Sequence, residues 1–214
     1  IPSDVQYIIN VLIENGYEGY MVGGCVRDLL INREPNDYDI TTNAKPEIVA
    51  RLFDKVILTG LKHGTVTVII NKVQYEVTTY REDGEYKDSR HPENVKFVTD
   101  IKNDLSRRDF TINAMAYNKE KGLIDYFDGL SDLKNKVIRT VGNPEKRFTE
   151  DSLRMLRAVR FAIQLDFKIE ESIIQSIKIL NNNLEFISKE RIREEFNKII
   201  LKDPNGLKLL HECS

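Results

Sequence analysis

The sequence lacks the features that mark membrane and disulfide-rich proteins. No long apolar run occurs among its 214 residues, so we expect no membrane-spanning segment. Only two cysteines are present, Cys25 and Cys213, and they form no metal-ligand spacing, which is typical of a protein from a reducing cytoplasm. The first residues show no signal-peptide pattern, and a start at Ile1 indicates a trimmed N-terminus. We therefore predict a cytoplasmic protein without a membrane partner.

The sequence also lacks an excess of charge of one sign. Its 32 basic and 34 acidic residues give a formal net charge of −2, which by itself gives no reason to expect nucleic-acid binding. Locally, arginines cluster at 107–108 and again at 154, 157 and 160. The three histidines are scattered, and no role is assigned to them. Since 41% of the residues are hydrophobic and 31% charged, an ordinary globular core in one large or two small domains is expected.

A glycine turn and a pair of aspartates stand close together near the start of the chain. The turn lies in Val22-Gly-Gly-Cys-Val-Arg-Asp28, and the aspartates are Asp37 and Asp39. If residues 36–41 form a strand, both carboxylates point to the same face. Like charges held so close favour a divalent cation between them, and oxygen ligands suit Mg²⁺. We therefore predict a metal site at Asp37 and Asp39.

The glycines and the arginine of this stretch indicate that an anion would bind together with the metal. Gly23 and Gly24 allow backbone N–H groups to approach an anion, and the N-terminus of a following helix adds positive charge. Arg27 lies one helical turn away and suits a phosphate. An isolated Asp-x-Asp or Gly-Gly is usually an ordinary turn, but the combination predicts a site for a nucleoside triphosphate with metal.

Hydrophobic periodicity predicts an α+β first half and a helical second half. In the first half we expect helices at about 3–15, 26–31 and 45–53, and strands at 19–22, 36–41, 56–58, 65–70, 73–80, 95–98 and 123–127. A domain boundary is placed at 127/128, giving domains 1–127 and 128–214. The strands at 65–70 and 73–80 are joined at Asn71-Lys72 and are predicted to form a hairpin. In the second strand of this hairpin, Glu76 is a candidate third carboxylate for the metal, although a solvent-facing glutamate is equally consistent with the pattern.

Two further stretches carry clustered arginines. In Asp104-Leu-Ser-Arg-Arg-Asp-Phe-Thr-Ile-Asn-Ala, Arg108 suits a phosphate and Asp109 a ribose hydroxyl, although such a pair is usually a surface ion pair. Residues 149–161 are predicted to form one helix with Thr149 as its cap. Its polar face carries Glu150, Asp151, Arg154, Arg157 and Arg160. A face of ordinary ion pairs is the alternative interpretation of these charges.

Read together, the motifs resemble those of the class II tRNA nucleotidyltransferases. This family includes the bacterial-type CCA-adding, A-adding and CC-adding enzymes and the bacterial poly(A) polymerases. The matching stretches occur in family order over nearly the whole chain: Gly23 to Asp39, Arg107-Arg-Asp-Phe-Thr-Ile-Asn-Ala114, Asp128-Gly-Leu-Ser-Asp-Leu133, Glu150-Asp-Ser-Leu-Arg-Met-Leu-Arg157 and Lys189-Glu-Arg-Ile-Arg-Glu-Glu195. The resemblance implies a nucleotidyltransferase head with a mixed β-sheet flanked by helices, followed by an all-helical neck and the start of a truncated body.

The resemblance also implies roles for individual residues. Asp37 and Asp39 would bind the metal ions, and Glu76 would be a third catalytic carboxylate if it reaches them. The nucleotide would be held by Gly23, Gly24, Arg27, Arg108, Asp109, Asp151, Arg154, Arg157 and Arg160. The partners would be CTP, ATP and the 3′ end of a tRNA. The sequence has no pattern that sets an oligomeric state.

Base selection follows from the chemistry of Asp151 and Arg154. Cytosine and adenine both present an amine donor beside a ring-nitrogen acceptor. A carboxylate accepts from the amine and a guanidinium donates to the ring nitrogen, and these two residues, three apart on one predicted helical face, would supply both groups. Uracil and guanine present the reverse pattern and would be rejected. A site of this polar kind discriminates by roughly 10⁴–10⁵.

The polar segment 81–94 bears on which family member this is. By resemblance, CC-adding enzymes have a shortened segment here, whereas this chain keeps the run from Asp83 to Pro92. We therefore expect CCA addition first and A addition second, with polyadenylation a further alternative. The rival from another class is a non-catalytic nucleotide- or RNA-binding module, against which the paired aspartates argue.

Overall fold

The chain folds into two compact units. A computed structural model describes residues 1–84, 95–203 and 206–213. Within this range the first unit comprises residues 1–84, 95–108 and 113–127, and the second comprises 109–112 and 128–213. The predicted segment at 81–94 therefore lies largely outside the described residues. In the part of the chain that the structure describes, none of the helices has the length and apolar character needed to cross a membrane.

The first unit is built around a mixed seven-stranded sheet. Its strands lie in the order β3-β4-β5-β2-β1-β8-β9. The neighbouring strands pair antiparallel except β2 and β5, which are parallel. The strands are β1 (Gly19–Val22), β2 (Asp39–Thr42), β3 (Val56–Gly60), β4 (Thr65–Ile70), β5 (Val73–Thr79), β8 (Met115–Asn118) and β9 (Gly122–Asp125). β6 (Arg81–Asp83) and β7 (Val95–Phe97) form a separate antiparallel pair. The predicted mixed sheet is confirmed.

Helices accompany this sheet within the first unit. They are α1 (Ser3–Glu14), α2 (Gly24–Leu30), α3 (Pro46–Leu52) and α4 (Ile101–Ser106). The apolar face of α1 buries Val5, Ile8, Ile9 and Leu12, as its spacing predicts. Ser3 does not cap this helix, because it is already the first helical residue. The predicted hairpin between β4 and β5 turns at Asn71 and Lys72, both with positive φ, as a two-residue hairpin turn requires.

The second unit is mainly helical. Its helices are α5 (Gly129–Asn135), α6 (Pro144–Glu150), α7 (Leu153–Leu165), α8 (Glu171–Leu180), α9 (Lys189–Lys202) and α10 (Gly206–Cys213), with a 3₁₀ turn at Asn181–Phe186. Two short parallel strands, β10 (Val137–Ile138) and β11 (Lys168–Ile169), accompany the helices. Leu153 and Leu156 of α7 pack with Ile187 in a buried apolar cluster.

One predicted helix is two helices in the structure. The helix predicted for 149–161 is broken at Asp151 and Ser152, because Asp151 has an extended backbone, with φ −145° and ψ 103°, where α6 ends. Thr149 therefore lies in the last turn of α6 rather than capping α7, and its hydroxyl donates to the carbonyl of Glu145 at 2.8 Å. This break places Asp151 before α7 instead of on its face.

Candidate active site

The strand that carries the predicted metal ligands begins later than predicted. β2 starts at Asp39, opposite Val22 of β1, and Asp37 and Tyr38 lie in the irregular segment before it. The prediction that the strand begins at residue 36 is therefore wrong, and strand alternation does not determine the direction of the Asp37 side chain. On the other side of β2, Ile40 pairs with Val77 of β5. One residue earlier in both strands, Asp39 lies next to Glu76.

The carboxylate of Asp39 lies in a strongly negative environment. Burial by the surrounding protein raises its pKa first, and the charges of Asp37 and Glu76 raise it further, while Arg108 lowers it; the pKa is about 6. Within the described residues, no three His, Cys, Asp or Glu side chains are grouped closely enough to form a ready-made metal site. Two neighbouring carboxylates that resist joint ionisation are the arrangement that a hard divalent cation relieves.

The glycine turn gives two arginines access to the same region. Gly23 ends β1 with φ 79° and ψ −131°, a conformation that residues with a side chain rarely adopt, and its carbonyl accepts from the N–H of Arg27 at 3.2 Å. A Cβ on Gly23 would lie 3.0 Å from Nη1 of Arg108, and one on Gly24 would lie 3.6 Å from Nη2 of Arg27. The missing side chains therefore leave space directly beside two guanidinium groups.

Both arginines are held by neighbouring acceptors in the first unit. Arg27 is 8% exposed; its Nη1 donates to Oδ1 of Asn113 at 2.7 Å and its Nε to Oδ1 of Asp28 at 2.9 Å. Nη2 of Arg108 lies 3.4 Å from Oδ2 of Asp104. The Nε of Arg108 is buried and has no hydrogen-bond acceptor among the described residues. The first unit thus brings Gly23, Gly24, Arg27, Arg108 and Asp39 together, as predicted.

Asp109 lies in the second unit and forms an ion pair there. Residues 109–112 run beside residues 139–141, with the N–H of Val141 donating to the carbonyl of Asp109 at 3.0 Å. Oδ2 of Asp109 accepts from Nη2 and Nε of Arg157 at 2.6 and 2.9 Å. Burial raises the pKa of Asp109, but the charge and hydrogen bonds of Arg157 outweigh this effect and hold the pKa at about 2. This is a buried ion pair with Arg157, which differs from the alternative interpretation of a surface ion pair between Arg108 and Asp109.

The residues predicted to recognise the base are each held by a partner in the second unit. Asp151 accepts from Nη2 of Arg191 at 2.9 Å, and its Oδ1 accepts from the N–H of Leu153 at 3.1 Å. Arg154 donates through Nη1 to Glu150 at 2.7 Å and to the carbonyl of Arg147 at 3.1 Å. The expectation that Asp151 and Arg154 share one helical face is wrong, because Asp151 precedes α7 and is oriented by α9.

Arg160 is part of the core of the second unit. It is 8% exposed, and its Nε donates to the buried Glu195 of α9. Its guanidinium carbon lies 4.0 Å from the ring centre of Phe161, and Nη1 donates to Gln164 at 2.9 Å. Burial lowers the pKa of Arg160, and Glu195 counters this effect. The structure thus gives Arg160 a packing role between α7 and α9.

Some contacts of the site could not be read from local sequence. Asn113 and Arg191 fall within quoted motif stretches, but nothing in those stretches shows that Asn113 holds Arg27 or that Arg191 holds Asp151. The partners lie 86 and 40 residues apart in the chain. Only the charge of Arg191 and the polarity of Asn113 inside an apolar run could have singled them out.

Comparison with known proteins identifies similar sequences over most of the chain. Residues 19–139 match a family model described as "Poly A polymerase head domain". Residues 166–214 match one described as "Probable RNA and SrmB-binding site of polymerase A". A CCA-adding enzyme from Oceanobacillus iheyensis is 53% identical over 192 residues, which is 90% of this chain and 48% of the relative. One from Enterococcus faecalis is 50% identical over 94% of this chain and 50% of the relative.

Solved structures of CCA-adding enzymes are also similar to this chain over most of its length. The crystal structure of the Bacillus stearothermophilus CCA-adding enzyme in complex with CTP superimposes with a TM-score of 0.83 at 44% identity, covering 90% of this chain and 47% of that one. A complex of a CCA-adding enzyme with ATP superimposes with a TM-score of 0.81 at 31% identity, over 100% of this chain and 51% of that one. The chain spans about half the length of the curated relatives it matches.

Proposed function

Because the chain belongs to the family of CCA-adding enzymes and bacterial poly(A) polymerases, we propose that it carries the catalytic site for adding C and A nucleotides from CTP and ATP to the 3′ end of tRNA. The observation that carries this proposal is the first unit's glycine turn. Two guanidinium groups lie beside it, and the carboxylate of Asp39 has a raised pKa close to one of them. This combination suits a triphosphate accompanied by a divalent cation.

The domain assignment is part of the proposal. Residues 1–127 form the nucleotidyltransferase head, and residues 128–214 form the helical neck and the beginning of a body domain. The head supplies the groups for phosphoryl transfer, and the neck supplies the groups for base recognition. The named relatives are bacterial, and tRNA maturation in bacteria takes place in the cytoplasm, so we place the protein there.

The charges of the first unit fit a metal-bound triphosphate. Members of this family are nucleotidyltransferases that generally use a divalent metal. We propose Mg²⁺, held by the oxygen ligands of Asp37 and Asp39. Such an ion would neutralise charge that develops as the phosphoryl group is transferred. Asp39 fits this role because burial, followed by the negative charge of Asp37 and Glu76, raises its pKa to about 6, and a bound cation would offset both effects.

The chain's own residues would bind and orient the nucleotide. Gly23 and Gly24 leave room for a phosphate beside Arg27 and Arg108. The buried Nε–H of Arg108, without an acceptor among the described residues, is a donor suited to a phosphate oxygen. Arg27 reaches the turn in an orientation fixed by Asp28 and Asn113. Positioning and charge stabilisation of this kind supply most of the catalysis in phosphoryl transfer.

In the second unit, we propose that Asp109, Asp151, Arg154 and Arg157 bind the ribose and the base. Asp151 would accept from the amine of cytosine or adenine, and Arg154 would donate to the neighbouring ring nitrogen. Arg191 and Glu150 already orient these two groups, so the pattern that the base must match is fixed before binding. The relatives crystallised with CTP and with ATP support a shared site for both nucleotides. Arg160 supports this region through packing.

The proposal is tested by nucleotide incorporation. Labelled CTP, ATP, UTP and GTP are offered with Mg²⁺ to tRNA lacking three, two or one of its terminal nucleotides. Addition of C followed by A would support a CCA-adding core, and A addition to the last substrate alone would make it an A-adding enzyme. Binding of CTP and ATP without any transfer would contradict the catalytic proposal and favour a nucleotide-binding module.

A further inference from the structure

Asp104 is a completely buried carboxylate for which the proposed function gives no role. It lies in α4 of the first unit, and its side chain has no exposed surface. Four groups donate to it. Oδ1 accepts from Nη2 and Nε of Arg107 at 2.8 and 3.0 Å and from the backbone N–H of Arg81 at 3.3 Å. Oδ2 accepts from Arg108 and from the hydroxyl of Thr41, both at 3.4 Å.

This carboxylate remains ionised despite its burial. Removing it from water raises its pKa, but the charges of Arg107 and Arg108 and the hydrogen bonds it accepts outweigh that effect, so its pKa lies below the usual value. A buried charge is costly unless it is paired and fully hydrogen-bonded. The anchoring of Asp104 to several elements meets this requirement and fixes its position.

The two carboxylate oxygens of Asp104 have different hydrogen-bond partners. Oδ1 binds Arg107 and the start of β6, whereas Oδ2 contacts the two groups that lead to the candidate site. Thr41 follows Asp39 by two residues in β2, so both side chains lie on one face of that strand. The single hydroxyl proton of Thr41 is shared between Oδ2 of Asp104 at 3.4 Å and the carbonyl of Thr78 in β5 at 3.1 Å. Oδ2 therefore connects Arg108 to the strand of Asp39.

The position of Arg108 matters because its Nη1 lies over the glycine turn. A Cβ on Gly23 would come within 3.0 Å of that nitrogen. An arginine side chain has many rotamers, and only a fixed guanidinium can keep its donors aimed at one place. Among the described residues, Asp104 is the carboxylate within ion-pair distance of Arg108.

We propose that Asp104 is a positioning residue for nucleotidyl transfer. It holds Arg108 over Gly23 and couples that guanidinium to the strand of Asp39, so that the phosphate-binding donor and the metal-binding carboxylate keep a fixed separation. The role of Asp104 in nucleotidyl transfer rests on the proposed function. The positioning of Arg108 by Asp104 can be tested without measuring any activity.

The first test uses Asp104→Asn, which keeps the shape and an acceptor but removes the charge. Affinity for CTP and for ATP should fall about tenfold, and equally for both, because Arg108 addresses the phosphates. The matched control is Asp100→Asn in the exposed cap of the same helix; it also removes one carboxylate charge, and asparagine can still cap, so affinity should stay unchanged. Unequal losses for CTP and ATP would contradict the proposal.

A double-mutant comparison separates positioning from a general structural role. In an Arg108→Gln background, Asp104→Asn should weaken nucleotide binding by less than about twofold, because the side chain that it positions is already gone. If Asp104 only supported the fold, the fold-losses of nucleotide affinity in the two single variants would multiply in the double variant. Multiplying losses would overturn the proposal.

The second readout is the ¹⁵N–¹H signal of the Arg108 Nε, assigned through its disappearance in Arg108→Gln. Asp104→Asn should shift this signal and speed its exchange with water. If that variant does not fold, Thr41→Val removes one donor to Oδ2 at constant volume and should move the signal in the same direction by less. A signal unmoved by these substitutions would overturn the proposal. A shifted signal in a chain whose wild-type form binds neither nucleotide would overturn the proposed function and leave the positioning of Arg108 standing.

Discussion

The two units hold their aspartates in opposite electrostatic surroundings. In the first unit burial raises the pKa of Asp39 to about 6, with a further contribution from the charges of Asp37 and Glu76. In the second unit Asp109 is enclosed by Arg157, and its pKa falls to about 2. The arginines differ in the same way: Arg108 has a buried Nε without an acceptor among the described residues, whereas Arg157 donates twice to one carboxylate.

This difference distinguishes a region with unbalanced charge from a region with balanced charge. The first unit holds a carboxylate with a raised pKa and an arginine nitrogen without an acceptor among the described residues, and these groups suit the cation and the anion of the proposed site. The second unit satisfies its charged groups internally, so that Asp151, Arg154 and Arg160 are fixed by Arg191, Glu150 and Glu195. Rigid polar groups of this kind suit discrimination between similar ligands.

The largest expected effect is loss of transfer in Asp39→Asn. Without the carboxylate nothing on β2 can hold the cation, and incorporation of CTP and ATP should fall by roughly 10³ or more. Glu76→Gln sharpens the test, because Glu76 acts on Asp39 through charge and its loss should cost at most about tenfold. An equal loss in both variants would instead support Glu76 as a third catalytic carboxylate.

The second-largest expected effect is a loss of stability in the second unit. Arg160→Leu leaves Glu195 buried without its principal partner and should lower the free energy of unfolding by about 3 kcal/mol in urea titrations. Lys198→Gln is the control; this exposed lysine lies 3.4 Å from the same Glu195, and its loss should cost about 0.5 kcal/mol. Similar small effects for both would show that the buried pair does not fix α7 against α9.

Base choice should change in Asp151→Ala. Without the carboxylate that accepts from the amine, discrimination against UTP should fall by about 100-fold, while binding of the triphosphate changes much less. Arg191→Gln should move selectivity in the same direction by less, because Asp151 then keeps its charge but loses its orienting partner. Competition between CTP and UTP measures both effects. Full discrimination in Asp151→Ala would disprove the proposed pairing.

The pH dependence of stability should reveal the Asp109–Arg157 pair. A lowered pKa means that the unfolded chain binds the proton more readily, so this contribution is present above about pH 4 and is lost as the pH falls through about 2. Asp109→Asn should therefore lower the free energy of unfolding by about 2 kcal/mol at pH 7. The difference in the free energy of unfolding between this variant and the wild type should become smaller below pH 4. A difference independent of pH would show that the charge is not what stabilises the pair.

The smallest effect concerns the glycine turn. Gly23→Ala forces a side chain into a backbone conformation with φ 79° and against Arg108, and should cost about 1 kcal/mol of stability or an equivalent loss of nucleotide affinity. Gly24→Ala is the matched control, because Gly24 is the first residue of α2 and its added Cβ meets only an ordinary contact. Thermal unfolding and CTP titration of both variants measure the difference.

Local patterns in the sequence predicted much of the fold. Apolar spacing located α1, the strands at 19–22 and 65–70, and the hairpin turn at Asn71, because these features depend on neighbours within a few residues. Part of the glycine turn was also predictable, since Arg27 follows Gly24 within one helical turn, whereas the Arg108 that lies beside Gly23 comes from a distant part of the chain. The helix break at Asp151 was missed because helical periodicity continues through it, while the Arg191 that pairs with Asp151 lies 40 residues away.

The same limit applies to the charged residues. A sequence shows that arginines cluster, but it does not show which carboxylate each one meets. Arg157 pairs with Asp109, which is 48 residues distant, and Arg160 with Glu195, which is 35 residues distant. Since an arginine neutralised by the protein and an arginine available to a ligand have the same sequence pattern, Arg160 was predicted to line the pocket and is instead found in the core.

The position of β2 in the sheet has a consequence for hydrogen exchange. This strand pairs with β1 on one side and with β5 on the other, so its backbone amides are shielded by neighbours in both directions. Such amides exchange with solvent only when a large part of the domain opens, whereas the edge strands β3 and β9 can fray on their own. The time for which the β2 amides next to Asp39 stay protected from exchange is thus set by the global opening of the unit. Any substitution that destabilises the sheet shortens this time.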